Sequence, residues 1–293
     1  MSSALDLVTL AAALREVESF SGETGWRARN AEQEAILARL DTLSADAARV
    51  PELAAWARRT AEELNEILAA RGFSIRLSPW PDDGESFGVV AIDDVRVAWL
   101  EKGETKDDRG EAFEIRGHRA FRLATNKAGV SFRSVPGTNH PLIRVSTRSG
   151  DEVWMIRLEQ PAEGLALFEA WERLKQEAVA APLVWFDGLI VPMIHLDTSP
   201  DISWLLGFEV GTTPWGIAQA LAQIRLGMNQ KGARVVSAVA IGMVLGGFPR
   251  PPSDYVLEGP FLFALVRPGL THPLVVAYLD ESCWRDPGKL GKI

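Results

Sequence analysis

Few residues of this chain have the type and spacing that catalysis requires. His195 and Asp197 are two positions apart in an extended apolar run, so their side chains would share one face of a strand and could form an acid/base pair. The same arrangement is more typical of a solvated strand edge. The single cysteine, Cys283, lies between Ser282 and Trp284, neither of which is basic, which indicates an inert thiol.

Established catalytic motifs are absent from the sequence. It contains no dinucleotide-binding or phosphate-binding glycine motif, no zinc-protease helix motif and no serine-hydrolase elbow. With one cysteine and four histidines, the chain has little material for a metal site. The sequence therefore predicts a protein that is not an enzyme and that uses no metal or cofactor.

Composition and charge exclude some classes of partner. Apolar residues make up 47% and charged residues 24%, which is typical of a folded soluble chain. The net charge of −8 argues against nucleic acid or an anionic membrane as the main partner, because both attract basic surfaces. The first twenty residues lack the basic start of a secretory signal, and the chain has no glycosylation sequon. We expect a cytoplasmic protein of bacterial type.

The pattern of apolar residues predicts helices first and strands afterwards. Residues 1–72 are expected to be helical, with helices at about 3–20, from Asn30 onward, and from Pro51 to Gly72. Residues 73–293 are expected to be rich in strands, with a hairpin at 148–151 and one helix at about 164–180. At 293 residues, the chain is predicted to form a single α+β domain. Predicted strands cover residues 89–92, 95–100, 142–146, 153–158, 189–196, 221–228, 233–244, 261–266 and 274–279.

Residues 232–250 form the most unusual segment of the chain. Between Gly232 and Phe248 only Arg234 is charged, and both faces of an extended chain would carry small or apolar side chains. One interpretation is an ordinary buried strand followed by a glycine loop. The other is a segment that can be either an exposed loop or a central strand. Three prolines, at 249, 251 and 252, prevent any ladder from continuing further.

Together with its flanks, this segment resembles the C-terminal signature of the serpin family. Residues 229–233 (NQKGA) resemble the hinge, the small residues up to Met243 resemble the reactive-centre loop, and residues 259–266 (GPFLFALV) resemble the strand that follows it. Upstream, residues 87–99 resemble the central strand that ends in the family's breach tryptophan, here Trp99. Residues 153–158 and 191–193 resemble two further strands, so the resemblance covers about residues 85–285.

The resemblance implies a fold and a mechanism. The fold would be a serpin-like α+β domain with a large mixed sheet, a second sheet or barrel and a reduced N-terminal helical bundle. Serpins inhibit serine, and sometimes cysteine, proteases: the target cleaves the loop, the hinge side inserts into the main sheet as a new strand, and the acyl-enzyme is distorted. Glycine at 232 would let the backbone swing during insertion.

The resemblance also implies site residues and partners. This protein would be a monomer. Its partner would be a target protease, or another protein, that binds residues 232–258. The implied hinge comprises Lys231, Gly232, Ala233, Arg234 and Val235. The implied reactive bond joins Gly246 and Gly247, with Leu245, Phe248 and Arg250 as nearby alternatives.

Departures from the family pattern leave a second interpretation open. Gln230 replaces the usual acidic hinge residue, and Val235 and Val236 are bulkier than the alanines typical of inhibitory loops. The shutter histidine aligns with Ala222, and the helix that normally crosses the main sheet has no obvious counterpart. The alternative is therefore a non-inhibitory serpin-fold protein that binds a partner.

Overall fold

A computed structural model describes residues 1–81, 83, 85–179, 183–212, 215–233 and 254–290. The helices within these ranges are α1 (Leu7–Ser21), α2 (Ala31–Leu37), α3 (Leu40–Ala47), α4 (Ala61–Ala70), α5 (Thr125–Ala128) and α6 (Leu165–Val179). The first ten strands are β1 (Ser3–Leu5), β2 (Trp26–Arg27), β3 (Ala54–Arg58), β4 (Gly88–Ile92), β5 (Val97–Ala98), β6 (Glu114–Ile115), β7 (His118–Ala124), β8 (Val130–Arg133), β9 (Leu142–Ser146) and β10 (Glu152–Arg157). The others are β11 (Leu183–Val184), β12 (Gly188–Pro192), β13 (Ile194–Thr198), β14 (Glu209–Val210), β15 (Trp215–Gly216), β16 (Ile224–Met228), β17 (Gly232–Ala233), β18 (Tyr255–Val256), β19 (Phe261–Val266) and β20 (Val275–Leu279).

A seven-stranded sheet forms the centre of the molecule. Its order is β1-β20-β19-β10-β9-β8-β11, and all of its pairs are antiparallel. Every residue of β19 is buried, as expected for an apolar strand covered on both faces. The predicted hairpin joins β9 to β10, with Gly150 at φ +86° in the turn. Helix and sheet together give the predicted α+β class.

A second sheet has the order β18-β12-β7-β6, with β12 and β18 parallel and the other pairs antiparallel. The predicted strand at 189–196 contributes to this sheet only up to Pro192, where β12 ends. After Met193, whose amide donates to the Arg119 carbonyl oxygen at 2.9 Å, the chain continues as β13 in a different sheet. The single predicted strand is therefore two strands.

The structure contradicts the predicted helix from Pro51 to Gly72. Residues 54–58 form β3, which pairs antiparallel with β4, and α4 begins only after Thr60, whose side chain caps it. The alanines of β3 favour a helix locally, but the edge of β4 needs a ladder partner, and that pairing outweighs local propensity. The part of the chain before residue 73 therefore contributes a strand as well as helices.

Helix α4 covers one face of the β3–β4 pair. Leu64 and Leu68 pack on Val90 and Ile92 in a small separate core, and Trp80 lies against it. The alternate residues of β4, Val89 and Ala91, face the side where α1 lies. Helix α4, which lies within the range predicted as one helix from Pro51 to Gly72, therefore covers the other face of this pair.

Most of the other buried apolar side chains form one larger core around the seven-stranded sheet. No helix in the described ranges is both long enough and apolar enough to cross a bilayer.

Candidate functional site

The site begins at a tight turn after β16, which we call the hinge turn (residues 229–232). The amide of Gly232 donates to the Asn229 carbonyl oxygen at 3.1 Å, and the amide of Lys231 donates to Asn229 Oδ1 at 2.9 Å. After this turn the chain runs back in the direction opposite to β16. The hinge residues Lys231, Gly232 and Ala233 thus reverse the chain rather than extend β16.

Gly232 lies too close to β5 for any side chain. Its φ is +122°, and a Cβ built on it would lie 2.4 Å from the Cα of Ala98 and 2.7 Å from the Val97 carbonyl oxygen. A Cβ atom essentially never approaches a backbone atom this closely. The backbone conformation and the contact with β5 therefore both require glycine at this position.

Trp99 holds the hinge turn in place. Its side chain is 1% exposed, and its indole Nε1 donates to the Asn229 carbonyl oxygen at 2.8 Å. The amide of Gly103 donates to the Gln230 carbonyl oxygen at 2.7 Å, and Asn229 Nδ2 donates to the Gly288 carbonyl oxygen at 3.1 Å. The tryptophan implied as the breach residue thus contacts the turn implied as the hinge.

Replacing Trp99 by phenylalanine is expected to weaken this attachment. The variant loses a buried hydrogen bond, which we expect to lower the free energy of unfolding by about 1–2 kcal/mol. Urea unfolding measures the effect. Trp185→Phe is the matched control, because Trp185 is 78% exposed and its change should be near zero. Equal effects of the two substitutions would contradict the role of the indole donor.

Beyond the hinge turn, the chain begins a new strand against β5. Gly232 pairs with Ala98 and Ala233 pairs with Val97, and the pairing is antiparallel. The structure describes the chain to Ala233 and again from Asp254. Arg234, Val235, Leu245, Gly246, Gly247, Phe248 and Arg250 lie outside the described residues, so the implied reactive bond does too.

A cleft of about 850 Å³ lies where this strand points. One wall is formed by β4 and β5, the other by residues 220–227, and α1 forms the floor with Leu10, Leu14 and Val17. Strand β4 pairs with β3 on its far side, and β16 pairs with β13 on its far side. In the part of the chain that the structure describes, the edges of β4 and β16 that face the cleft have no ladder partner. Two such edges can accept one further strand.

Three aspartates, Asp6, Asp93 and Asp94, line the cleft. Asp6 caps α1 and accepts hydrogen bonds from the Thr9 amide at 2.8 Å and the Thr9 hydroxyl at 2.6 Å. Burial raises the pKa of Asp6 to about 6. Burial, and then the negative charges of Asp6 and Glu52, raise the pKa of Asp93 to about 8. The sequence analysis missed these residues as part of a site; the only signal was the Asp93-Asp94 break in an apolar run.

Asp254, the first described residue after Ala233, is firmly anchored. Asp254 accepts hydrogen bonds from Arg122 Nε at 2.8 Å and from Arg122 Nη2 at 3.0 Å. Tyr255 and Val256 then form β18, which pairs with β12. Both ends of residues 234–253 are therefore fixed to the body of the protein by buried or partly buried contacts.

The candidate catalytic residues do not come together at the cleft. His195 and Asp197 share a face of β13, as predicted, but neither lines the cleft, and Asp197 accepts a hydrogen bond from Gln223 Nε2 at 2.7 Å. Cys283 is buried, and desolvation raises the pKa of its thiol to about 11. Among the described residues, no group of three or more His, Cys, Asp and Glu side chains is arranged to hold a metal.

Comparison with solved structures relates this architecture to known proteins. The chain is similar to thyroxine-binding globulin in complex with thyroxine, at TM-score 0.51 and 12% identity, over 95% of this chain and 92% of that one. It is similar to Serpin48 of the insect Tenebrio molitor, at TM-score 0.54 and 12% identity, over 95% and 91%. It is similar to Tengpin, a thermophilic serpin in its native state, at TM-score 0.55 and 10% identity, over 96% and 88%.

No protein-family model matches the chain, and no curated protein matches it by sequence. At 10–12% identity the structural similarity establishes the fold alone. That similarity extends over almost the whole length of each chain, and it agrees with the order of motifs read from residues 85–285. The chain has the serpin fold.

Proposed function

We propose that this protein inhibits serine or cysteine proteases by cleavage of its loop and insertion of the hinge side as a strand. The observation that carries the proposal is the direction of β17: it leaves the hinge turn antiparallel to β5 and points into a cleft bordered by two strand edges that have no ladder partner among the described residues. An added strand needs a starting register and two neighbouring strand edges with which it can pair. The pairing of β17 with β5 supplies the register, and the edges of β4 and β16 border the cleft.

The register of β17 specifies the fit of the proposed strand. If the pairing of Ala233 with Val97 continues, Val235 lies opposite Val95, Val239 opposite Ala91 and Ile241 opposite Val89. Directly opposite residues share a face of a sheet, so these apolar residues would meet the apolar wall and the floor formed by α1. Small and β-branched residues fill such a space without overpacking.

Insertion would lower the free energy of the cleaved protein. A strand of about ten residues would gain ladder hydrogen bonds on both sides, at about 0.5–1.5 kcal/mol each, and would remove apolar side chains from water. Before cleavage, both ends of residues 234–253 are anchored, at the hinge turn and at Asp254. Cutting the chain between these anchors is therefore the event that would free the hinge side.

Protease specificity follows from the position of the reactive bond. We place it at Gly246–Gly247, with Leu245, Phe248 and Arg250 as neighbouring candidates. A cut after Arg250 would indicate trypsin-like targets, whereas a cut after Leu245 or Phe248 would indicate chymotrypsin-like or elastase-like targets. Mass spectrometry of the released C-terminal fragment identifies the bond directly.

A protease panel tests the proposal. The protein is incubated with trypsin-like, chymotrypsin-like, elastase-like and papain-like enzymes, and denaturing gels are examined for a covalent complex. We expect a complex with at least one protease, and none with the same protease inactivated at its nucleophile. Molecules cut within residues 234–253 should melt about 10 °C or more above intact ones. Clean cleavage with neither a complex nor a thermal gain would contradict inhibition.

A non-inhibitory binding protein is the second candidate. The cleft of about 850 Å³ has the size of a ligand pocket, and a neighbour of the same fold was solved with bound thyroxine. This candidate predicts the opposite result in the protease panel: loop cleavage that leaves the melting temperature unchanged and traps no enzyme.

A further inference from the structure

Asp93 is a polar group in the wall of an otherwise apolar part of the cleft. It follows β4 and lines the cleft, and its Oδ1 is buried with no hydrogen-bond partner among the described residues. Val89, Ala91 and Val95 line the same wall. A buried carboxyl oxygen without a partner costs free energy, and the cost is far larger when the group is ionised.

The charged groups around Asp93 do not neutralise it. Asp6 at the start of α1, Glu52 before β3 and the adjacent Asp94 all add negative charge. Arg267, after β19, contributes positive charge, which favours the ionised form of Asp93. Its guanidinium is already shared: Nη1 donates to Glu52 at 2.8 Å and Nε donates to Asp151 at 2.8 Å. Asp94 in turn is paired with Arg96.

We propose that Asp93, together with Asp6, is a proton-operated gate on the cleft: a strand inserts readily when Asp93 is protonated and is opposed when it is ionised. The inference rests on the proposed strand insertion. The physical reason is desolvation, because a strand laid between β4 and β16 would exclude solvent from the cleft. A neutral carboxyl tolerates that change, and an ionised one does not.

The sequence of the proposed strand contains a matching polar residue. If the register of β17 continued along the wall, the residue opposite Asp93 would be Ser237. Among positions 235, 237, 239 and 241, it is the one that is not apolar. A serine hydroxyl can donate to, or accept from, a protonated carboxyl. The match would give the uncharged form of Asp93 a partner in the inserted state.

The direction of the pH effect follows from the raised pKa values. Because the pKa of Asp93 is about 8 in the folded protein and that of Asp6 about 6, both far above the ordinary value for an aspartate, protonation favours the folded state. That stabilisation is complete below the ordinary pKa and is lost as the pH rises through the folded value. Strand insertion would bury Asp93 further and raise its pKa further. The stability of the inserted state relative to the uninserted state should therefore decrease as the pH rises above about 8.

Loop cleavage at a series of pH values tests the gate. Full-length protein is cut within residues 234–253, and the thermal gain of cut over intact molecules is measured from pH 6 to pH 9.5. In the wild type we expect the gain to fall by about half or more between pH 7 and pH 9.5. In Asp93→Asn, position 93 cannot ionise and Asp6, whose pKa is about 6, is already largely ionised above pH 7, so the gain should be independent of pH between pH 7 and pH 9.5. Asp108→Asn is the matched control, because Asp108 is exposed, does not line the cleft and is not among the charges that act on Asp93, so the wild-type profile should be unchanged.

Asp6→Asn gives a second readout that does not depend on the stability of Asp93→Asn. Asparagine caps a helix as well as aspartate does, so α1 should remain intact. Removing the Asp6 charge should lower the pKa of Asp93 and move the midpoint of the profile to lower pH. A thermal gain with the same pH profile in wild type, Asp93→Asn and Asp6→Asn would overturn the gate alone. No thermal gain at any pH would overturn strand insertion, and the gate with it.

Discussion

Replacing Gly232 by alanine is expected to give a protein that proteases cleave but that traps them about tenfold less often or worse. The added Cβ would lie 2.4 Å from the Cα of Ala98, and the φ of +122° is strongly disfavoured for alanine. Such strain costs about 1–3 kcal/mol, and a cost of 1.4 kcal/mol corresponds to a factor of ten. The hinge turn should move away from β5, so that the proposed strand loses its starting register. The ratio of covalent complex to cleaved protein on a denaturing gel measures the effect.

Gly110→Ala is the matched control for this substitution. Gly110 also has a positive φ, of +84°, but a Cβ there meets nothing within 4 Å. Backbone strain is therefore present in both variants, whereas the contact with β5 is affected only at Gly232. If Gly232→Ala trapped protease as efficiently as Gly110→Ala, the pairing of β17 with β5 would not be the start of insertion.

The second large effect is expected from filling the cleft. Ala91 lies in β4, pairs with Ala55 on the β3 side and lines the cleft on the other. A tryptophan at this position would place its ring in space that an inserted strand must occupy. The cavity of about 850 Å³ can accept the ring, so the uncut protein should melt within about 3 °C of the wild type. Trapping of protease should fall about tenfold or more, because overpacking a strand costs about 1–3 kcal/mol.

Ala91→Ser is the control for the Ala91→Trp variant. Serine adds one oxygen and little volume, so it should preserve both the thermal gain on cleavage and the covalent complex. Ala91→Trp protein that still gains stability on cleavage would show that the hinge side inserts elsewhere or not at all. This result would favour the binding protein over the inhibitor.

Local sequence patterns predicted the elements whose stability is local. The burial of β19 follows from six apolar residues in a row, the β9–β10 hairpin from a glycine turn, and the start of α2 from Asn30, whose side chain accepts from the Gln33 amide at 2.8 Å. The α+β class and the serpin resemblance followed from the order of such elements. In each case the residues that determine the structure are close together in the chain.

Long-range contacts account for what the sequence did not reveal. Residues 54–58 have helical periodicity, but they form β3 because β4, which begins thirty residues after Arg58, presents an edge. The sequence favoured glycine at 232 for freedom of movement, whereas the structure requires it because β5 lies against it.

The sequence by itself thus determined the class of fold, the order of motifs and the apolar character of residues 232–248. The tertiary structure alone decided that a cleft lies between β4 and β16, that Trp99 anchors the hinge turn, and that Asp6 and Asp93 line the same cleft. The physical reason is that a hydrophobic pattern is a property of neighbouring residues, whereas an unpaired edge or a raised pKa depends on which distant segments the fold brings together.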